Sequence, residues 1–278
     1  MRRNELEEVV LASFRGEIDA LKPGNVSRYA GGHGMSYQDF IQSAEAVVPI
    51  LCHCDYSVGE RILESVVATR EVAGCNTNLG MLLLYAPLIK AFEVSVDSRD
   101  LRRSLVTTLA ALQHADTEAI FAAIRLANPA GLGQVAQYDV HSTTEADIIT
   151  VMQAAADRDL IAREYVTGFE IVCTTGFECL GDFGRRWNSV EWAAVACYMT
   201  ILANFPDSHI RRKFGIEAAE RVRAQSVPML KRLQKNKKPD SAIPMLLAYD
   251  KELKESKLNP GACADLTAAS LLFYNLST

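Results

Sequence analysis

The sequence lacks an apolar run long enough to cross a bilayer. Its longest, Met81 to Ile89, has nine residues, against the roughly 20 that a transmembrane helix needs. The amino terminus turns acidic at Glu5 and has no apolar stretch of the kind that secretion signals carry. These absences argue against a membrane-spanning protein and predict a cytoplasmic protein with no membrane partner.

The sequence also lacks the cysteine spacing of a disulfide framework or a zinc knuckle. Its seven cysteines are scattered over 278 residues, and no two of them form a CxxC pair. Basic charge is not in excess either, because 29 basic side chains stand against 34 acidic ones, for a formal charge of −5. A protein that binds bulk nucleic acid needs a strongly basic face, so that partner is not expected.

Helical periodicity is present over nearly the whole chain. Residues 4–21 place apolar side chains on one stripe, and similar patterns predict further helices over residues 37–51, 58–73, 79–93, 98–113, 116–127, 144–158, 159–180, 189–204, 214–225, 239–256 and 262–275. No run shows the strict alternation of a strand between turns. The prediction is an all-α, single-domain multi-helix bundle over residues 1–278. Dimers are the commonest soluble oligomers, which makes a homodimer the default expectation.

Four glycine-containing loops join these helices, at residues 22–35, 74–80, 128–133 and 258–265. In a helical bundle the helices supply a rigid frame, and loops of this kind usually carry function. The candidate functional residues are therefore expected in these loops and at the helix ends beside them.

Glu17 lies in the apolar stripe of the first predicted helix, among Val10, Phe14 and Leu21. A carboxylate in such a stripe must be desolvated, paired or coordinated. The alternative is that the helix end lies close enough to the surface for Glu17 to reach water. If the side chain is desolvated, its pKa should be raised unless a cation such as Arg70 compensates.

Arg70 is predicted to share a face of the third helix with Val58, Ile62 and Val66, four residues before Gly74. An arginine there could bind phosphate through both arms of its guanidinium. The alternative is a packed stem with a head that reaches solvent.

The turn at residues 76–80 opens the next helix, and the free N–H groups of a helix start attract anions. Most capped helices bind nothing, so this pattern gains weight only from the neighbouring Arg70. We expect the turn, Arg70 and the loop at residues 22–33 to face one cavity.

Two further segments carry histidine. His33 lies in a glycine loop with no apolar neighbours, which suits a proton donor, a phosphate contact, a metal ligand or a plain surface residue. Asp207 and His209 precede three cations, Arg211, Arg212 and Lys213. That segment is either a solvated face or a site for a multiply charged anion with a metal.

The combination of motifs resembles one family. In order along the chain stand Lys22-Pro23-Gly24-x-Val26, Gly32-His33, Gly74-x-Asn76-Thr77-x-x-Gly80, Asp207-Ser208 and Asn259-Pro260-Gly261-x-x-Ala264-Asp265-Leu266. Together they resemble the all-helical triphosphoribosyl-dephospho-CoA synthase family over residues 22–266. The resemblance implies that the triphosphoribosyl group of ATP moves to the 2′-hydroxyl of 3′-dephospho-CoA, with release of adenine.

The resemblance also implies roles for the residues. Glycosyl transfer of this kind needs a carboxylate near the anomeric carbon and an acid for the departing base, and the triphosphate needs cations, including Mg²⁺. The implied catalytic residues are Glu17, His33, Asp207 and Asp265, of which Asp207 and Asp265 are also the expected metal ligands. The implied substrate and phosphate contacts are Lys22, Gly24, Arg70, Asn76, Thr77, Asn78, Gly80, Arg211 and Arg212. We expect Asp207 and Asp265 to converge.

The chain departs from the family pattern at several positions. Asn78-Leu79 stands where the family has His-Lys, and Ser27 replaces an acidic residue. Loss of an ammonium beside a phosphate should lower affinity for a highly charged nucleotide. Two alternatives therefore stand beside the main hypothesis. One is phosphoribosyl transfer to a C1-carrier coenzyme such as tetrahydromethanopterin, and the other is a non-catalytic helical module that binds a nucleotide or a partner helix.

Overall fold

The computed structural model describes residues 1–133, 135 and 137–278, and Ser98 by its backbone alone. Within these residues the fold is helical and contains no strand, which confirms the all-α prediction. The helices are α1 (Arg3–Asp19), α2 (Tyr37–Leu51), α3 (Val58–Ala73), α4 (Leu79–Val94), α5 (Leu101–Ala110), α6 (His114–Ala127), α7 (Ile148–Gln153), α8 (Leu160–Thr167), α9 (Phe177–Trp187), α10 (Val190–Asn204), α11 (Ser208–Phe214), α12 (Ile216–Lys235), α13 (Ile243–Glu255) and α14 (Gly261–Ser277). Short 3₁₀ turns at Ser98–Asp100 and Pro239–Ala242 and a π-helical turn at Ile171–Gly176 complete them.

Local signals fix several helix ends. Ser57 caps α3, because its Oγ accepts a hydrogen bond from the N–H of Glu60. In turn, the side-chain carboxylate of Glu60 accepts a hydrogen bond from the N–H of Ser57. Gly74 ends the same helix in the left-handed conformation. Because both signals lie in the sequence itself, the predicted bounds of this helix, residues 58–73, are confirmed.

Several predicted helices differ in extent from those observed. The segment predicted over residues 144–158 is an α-helix only at Ile148–Gln153, and α11 was not predicted. The single helix predicted over residues 159–180 is interrupted because Gly168 and Phe169 both adopt positive φ, at 63° and 57°. The helix predicted over residues 214–225 begins at Ile216 and continues to Lys235. Its last turns are held in the core because the side chains of Leu230 and Leu233 are buried there.

The chain divides into two compact units. Unit 1 contains Met1–Ala12, Asp39–Glu170 and Asn275–Thr278, and unit 2 contains Ser13–Gln38 and Ile171–Tyr274. The prediction of one domain over residues 1–278 stays a prediction. The core of unit 1 is built on α4, which packs against α3 and α5, and that of unit 2 on α10, which packs against α9 and α12. Both central helices are mostly apolar and most of their residues are buried, as expected of helices surrounded by others.

None of the helices in the described part of the chain combines the length and apolar character needed to cross a membrane.

Candidate active site

The predicted site residues divide between the two units. Unit 2 carries Glu17, Lys22, Gly24, His33, Asp207, Arg211, Arg212 and Asp265, and unit 1 carries Arg70, Asn76, Thr77, Asn78 and Gly80. That the two groups face one cavity stays a prediction.

Glu17 and Lys22 form a buried ion pair. The Glu17 side chain is 1% exposed, and its Oε1 lies 3.0 Å from Lys22 Nζ. This is a charge contact rather than an aligned hydrogen bond, because Oε1 has no hydrogen-bond partner. The Lys22 ammonium donates instead to the carbonyl oxygens of Glu17 and Val26, each at 2.8 Å. Lys22, predicted as a phosphate contact, is thus enclosed by protein oxygens.

The electrostatics of this pair favour a carboxylate that holds its proton more tightly than usual. Burial raises the pKa of Glu17, and the charge of Lys22 opposes that shift without cancelling it. Burial likewise lowers the pKa of Lys22 against the pull of Glu17. The predicted rise in the Glu17 pKa is confirmed, whereas the alternative in which Glu17 reaches water is wrong. The compensating cation is Lys22 rather than Arg70.

The backbone after Lys22 is held by two side chains that sequence reasoning missed. The hydroxyl of Tyr198 donates to the carbonyl oxygen of Pro23 at 2.7 Å. The N–H of Gly24 donates to Asp250 Oδ1 at 2.9 Å, and Asp250 Oδ2 accepts from Lys254 at the same distance. The glycine loop therefore has a rigid base.

One of these two residues had a detectable signal in the sequence. Asp250 lies on the face of α13 that buries Leu246 and Leu253, so it is a carboxylate on an apolar face, as Glu17 is. Tyr198 carries no comparable signal, because a tyrosine in an apolar helix is ordinary.

His33 lies exposed on the same loop, with φ at 57°. Its Nε2–H donates to the carbonyl oxygen of Gly24 at 2.9 Å. The bond fixes the ring beside the Lys-Pro-Gly segment. Its role as a proton donor stays a prediction.

Asp207 ties two helix starts together. Its wholly buried carboxylate caps α11, where Oδ1 accepts from the N–H of Ile210 at 2.9 Å. Oδ2 accepts from the N–H of Cys263 in the first turn of α14, also at 2.9 Å. Asp265 follows two residues later and is half-buried. Asp207 thus acts as a double cap, and convergence of the Asp207 and Asp265 carboxylates stays a prediction.

The donor set around Asp207 does not fit a resident magnesium ion. Mg²⁺ takes oxygen ligands in an octahedral arrangement, but both Asp207 oxygens already accept backbone N–H bonds. No cluster of three or more histidine, cysteine or acidic residues able to hold a metal occurs among the described residues. Metal binding by Asp207 and Asp265 stays a prediction.

His209 packs onto the start of α14. A methyl group added at Gly261 would lie 2.5 Å from its Nδ1, so the ring needs glycine at that position. Burial first, and then the charges of Arg212, Lys213 and His33, lower the pKa of His209 to about 4. The ring is neutral at pH 7 and lies among cations. Phosphate binding by Arg212, which is exposed, and by its half-buried neighbour Arg211 stays a prediction.

In unit 1, Arg70 is exposed and its Nη1 donates to the carbonyl oxygen of Leu126 at 2.7 Å. Its predicted position on the core face of α3 is wrong. At about 100° per residue, position 70 lies about 120° from Val58, whereas Thr69 lies about 20° from it. Thr69 is accordingly the buried residue. Phosphate binding by Arg70 stays a prediction.

The buried arginine of α3 is Arg61, which sequence reasoning missed. Its guanidinium lies 2.9 and 2.7 Å from the two carboxylate oxygens of Glu93 and donates to the carbonyl oxygens of His53 and Tyr56. These bonds make Arg61 a structural tie between helix ends.

The turn before α4 is held by its own polar side chains. Asn76 Oδ1 accepts from the N–H of Leu79 at 3.1 Å, and the Thr77 hydroxyl donates to Ser43 Oγ at 2.8 Å. Asn78 is the N-cap residue of α4. The turn is thus rigid, and its role as a phosphate contact stays a prediction.

A family model for ATP:dephospho-CoA triphosphoribosyl transferases matches residues 3–278. The chain belongs to this family. A crystal structure from Archaeoglobus fulgidus, of a protein provisionally named triphosphoribosyl-dephospho-CoA synthase, is similar with a TM-score of 0.65 and 26% sequence identity, and the match covers 84% of this chain and 97% of that one. No curated protein sequence matches significantly.

Membership of the triphosphoribosyl transferase family confirms the resemblance seen in the motifs. It makes the chain a transferase of coenzyme biosynthesis, and it favours neither the C1-carrier alternative nor the non-catalytic module.

Proposed function

We propose that this protein transfers the triphosphoribosyl group of ATP to the 2′-hydroxyl of dephospho-CoA and releases adenine. Family membership over residues 3–278 supports the reaction class. The buried Glu17 carboxylate is the observation that locates the reaction in the structure. It is paired with Lys22, the first residue of the Lys-Pro-Gly motif. A desolvated carboxylate with a raised pKa is the group that proton abstraction from a hydroxyl requires.

The proposed reaction joins the acceptor oxygen to the ribose of ATP as adenine departs. The hydroxyl of the acceptor gives its proton to Glu17 as its oxygen bonds to the anomeric carbon of the ribose. The bond between that carbon and the adenine nitrogen breaks, its electron pair stays on the nitrogen, and adenine takes up a proton from solvent. Glu17 then returns the acceptor's proton to solvent, so the number of protons is unchanged. Lys22 favours the ionised form of Glu17, because its positive charge opposes the rise in the Glu17 pKa that burial causes.

Magnesium enters this proposal only as the ion that accompanies ATP. The triphosphate carries several negative charges, which Mg²⁺ shared with substrate oxygens would reduce. The carboxylate of Asp265, half-buried at the start of α14, is the residue we propose beside it. Arg211 and Arg212 would add positive charge at the same end of unit 2.

The test is adenine release from ATP, measured with and without dephospho-CoA. Glu17→Gln keeps the shape and leaves the Lys22 ammonium its two carbonyl acceptors, so the protein should still fold, at lower stability, and turnover should fall about 100-fold or more. Glu8→Gln, on the exposed face of the same helix, is the matched control and should keep wild-type turnover.

Two results would contradict the proposal at different levels. Full turnover in a folded Glu17→Gln protein would exclude Glu17 as the base. Absence of adenine release by the wild type with dephospho-CoA would exclude this acceptor, and a reduced pterin carrier in the same assay would then test the C1-carrier alternative.

A further inference from the structure

Two buried thiols lie opposite each other where α9 packs against α10 in unit 2. Cys179 on α9 and Cys197 on α10 stand nine residues before and nine residues after Asn188. Asn188 ends α9 in the left-handed conformation, and Ser189 directly after it caps α10. Helices that are joined by so short a turn and pack together are antiparallel, so positions equally far from the turn face each other.

The hydrogen bonds on either side of the two cysteines show the same register. Cys179 Sγ lies 3.5 Å from the hydroxyl oxygen of Thr200, which is one turn after Cys197 on α10. Cys197 Sγ donates to the carbonyl oxygen of Gly176, one turn before Cys179, at 3.9 Å. The Cys197 thiol also has the Cys179 sulfur within hydrogen-bonding range. The two sulfurs are therefore neighbours, and both are free thiols.

The two thiols differ in the way that a redox pair requires. Cys179 is 8% exposed, whereas Cys197 is completely buried. Hydrogen bonding by Cys197 lowers the pKa of Cys179 against the opposing effect of burial, and Thr200 adds to this. The same thiol–thiol bond, together with burial, raises the pKa of Cys197. Cys179 is thus the thiol that an oxidant meets first, and Cys197 is placed to resolve it.

The pair is connected to the glycine loop through one residue. Tyr198 follows Cys197 on α10, and its hydroxyl donates to the carbonyl oxygen of Pro23 at 2.7 Å. A disulfide joins its sulfurs at about 2.05 Å, which is shorter than any hydrogen-bonded contact between two thiols. Formation of the bond must therefore draw α9 and α10 together at this level. Tyr198 moves with Cys197, and the carbonyl that it holds lies one residue after Lys22.

We propose that Cys179 and Cys197 form a reversible disulfide in the presence of a peroxide, and that this disulfide slows the transferase by weakening the hold of Tyr198 on Pro23. The site is a dithiol, its co-substrate is a peroxide, and Tyr198 is the positioning residue that transmits the change. The effect on turnover rests on the proposed function, whereas formation of the disulfide does not.

The oxidation consumes one molecule of peroxide. The Cys179 sulfur attacks a peroxide oxygen, the O–O bond breaks, and water leaves, so that Cys179 becomes a sulfenic acid. The Cys197 sulfur then attacks the Cys179 sulfur, the S–O bond breaks, and a second water leaves. The two thiols lose two electrons and two protons, which the peroxide takes up. A dithiol reductant reverses the reaction by thiol–disulfide exchange.

The first test is peptide mapping by mass spectrometry after treatment with hydrogen peroxide. Arg185 and Arg186 lie between the two cysteines, so trypsin releases them on different peptides. We expect these two peptides to be joined, with the loss of two hydrogen atoms, and to separate on addition of dithiothreitol. Oxidation of the protein without this cross-link would overturn the inference.

Serine variants assign the bond. The tryptic peptide of Cys179 also contains Cys173, so the cross-link should disappear in Cys179→Ser and in Cys197→Ser. Serine keeps a hydroxyl for the contacts with Thr200 and Gly176 and cannot form a disulfide. Cys54→Ser, at an exposed cysteine, is the matched control and should form the same cross-link as the wild type. A cross-link that persists in Cys179→Ser would show that Cys179 is not the residue joined.

Adenine release before and after peroxide treatment tests the effect on turnover. Oxidation should lower the turnover of the wild type and of Cys54→Ser at least about fivefold, the effect of losing one ordinary hydrogen bond. Dithiothreitol should restore it, which excludes methionine oxidation as the cause. Cys179→Ser and Cys197→Ser should each keep their own turnover under the same treatment. Equal losses in these two variants and the wild type would overturn the inference.

Tyr198→Phe tests the connection to the loop. It removes the hydroxyl but keeps the ring, so turnover of the reduced protein should fall and oxidation should lower it little further. A general distortion of α10 would instead lower the turnover of Tyr198→Phe as much as that of the wild type, which would contradict the role of Tyr198. A cross-linked wild type that releases no adenine when reduced would support the disulfide and contradict the proposed function.

Discussion

Asp207 accepts a 2.9 Å hydrogen bond from the backbone N–H of Cys263, 56 residues further along the chain. Its second oxygen caps its own helix through Ile210. One buried carboxylate thus satisfies N–H donors at two helix starts. Burial raises the pKa of Asp207, and these two bonds oppose the shift.

Asp207→Asn should destabilise the protein without changing its shape. The new amide nitrogen must face one of the two N–H groups, which leaves a buried donor unsatisfied and costs about 2 kcal/mol. Urea unfolding measures the loss. Asp265→Asn, at a half-buried position in the same helix, is the control and should cost clearly less. Equal losses in the two variants would contradict the double-cap role.

Alanine substitutions at Gly24 and Gly34 can distinguish the cost of backbone strain from the cost of steric contact. Both have positive φ, at 83° and 80°. A Cβ at Gly24 would lie 2.8 Å from Pro260 and 2.9 Å from Leu253, whereas one at Gly34 meets nothing within 4 Å.

Alanine at either glycine should lower the free energy of unfolding by about 1–2 kcal/mol through left-handed strain. At Gly24 the contacts should add about 1–3 kcal/mol more. The comparison is made by urea unfolding of both variants. If Gly34→Ala proves as destabilising as Gly24→Ala, the close packing of the Lys-Pro-Gly segment has no energetic effect.

Sequence patterns were reliable where the determining contacts are local. Ser57 and Gly74 lie at the ends of α3, so its bounds follow from neighbouring residues. The burial of Glu17 follows from its place in an apolar stripe, because a helix with one buried face buries whatever residue lies there.

Patterns failed where a partner lies far along the chain. Nothing near Asp207 indicates that Cys263 will supply its second hydrogen bond, and nothing near Pro23 indicates that Tyr198 will donate to its carbonyl oxygen. The error at Arg70 has a different cause. Val58, Ile62, Val66 and Arg70 are four residues apart, and each step of four residues rotates the position by about 40° around the helix. After three steps Arg70 therefore lies outside the buried face.

His209 predicts a specific loss of stability in acid. Its pKa is lowered from 6.5 to about 4 in the folded protein. Between these two pH values the His209 ring is protonated in the unfolded chain but neutral in the folded protein. Stability is therefore complete above about pH 6.5 and falls as the pH drops towards 4, by about 3 kcal/mol from this residue.

His209→Asn should remove that component of the pH dependence, whatever its effect on stability at pH 7. Unfolding free energies from pH 4 to 8, compared between the two proteins, give the difference in slope. Parallel curves would show that His209 is not the group that titrates.

The Glu17–Lys22 pair leads to the last prediction. Lys22→Met removes the ammonium while keeping an unbranched side chain in the buried site. Glu17 is then an uncompensated carboxylate, and loss of one partner of a buried pair costs about 3–5 kcal/mol. The pKa of Glu17 is already raised from 4.5 by burial, and without Lys22 it should rise further. A group whose folded pKa is raised loses stability as the pH rises through that value.

Lys22→Met should therefore approach wild-type stability near pH 4 and be strongly destabilised at pH 8. Adding Glu17→Gln to it removes the remaining charge and should recover much of the stability at pH 8, without recovering adenine release. Urea unfolding at both pH values measures the contribution of the Glu17–Lys22 pair to stability. The adenine assay measures its contribution to turnover. If Lys22→Met is destabilised equally at pH 4 and pH 8, the desolvated charge of Glu17 is not the cause. If the double variant releases adenine at the wild-type rate, Glu17 is not the base.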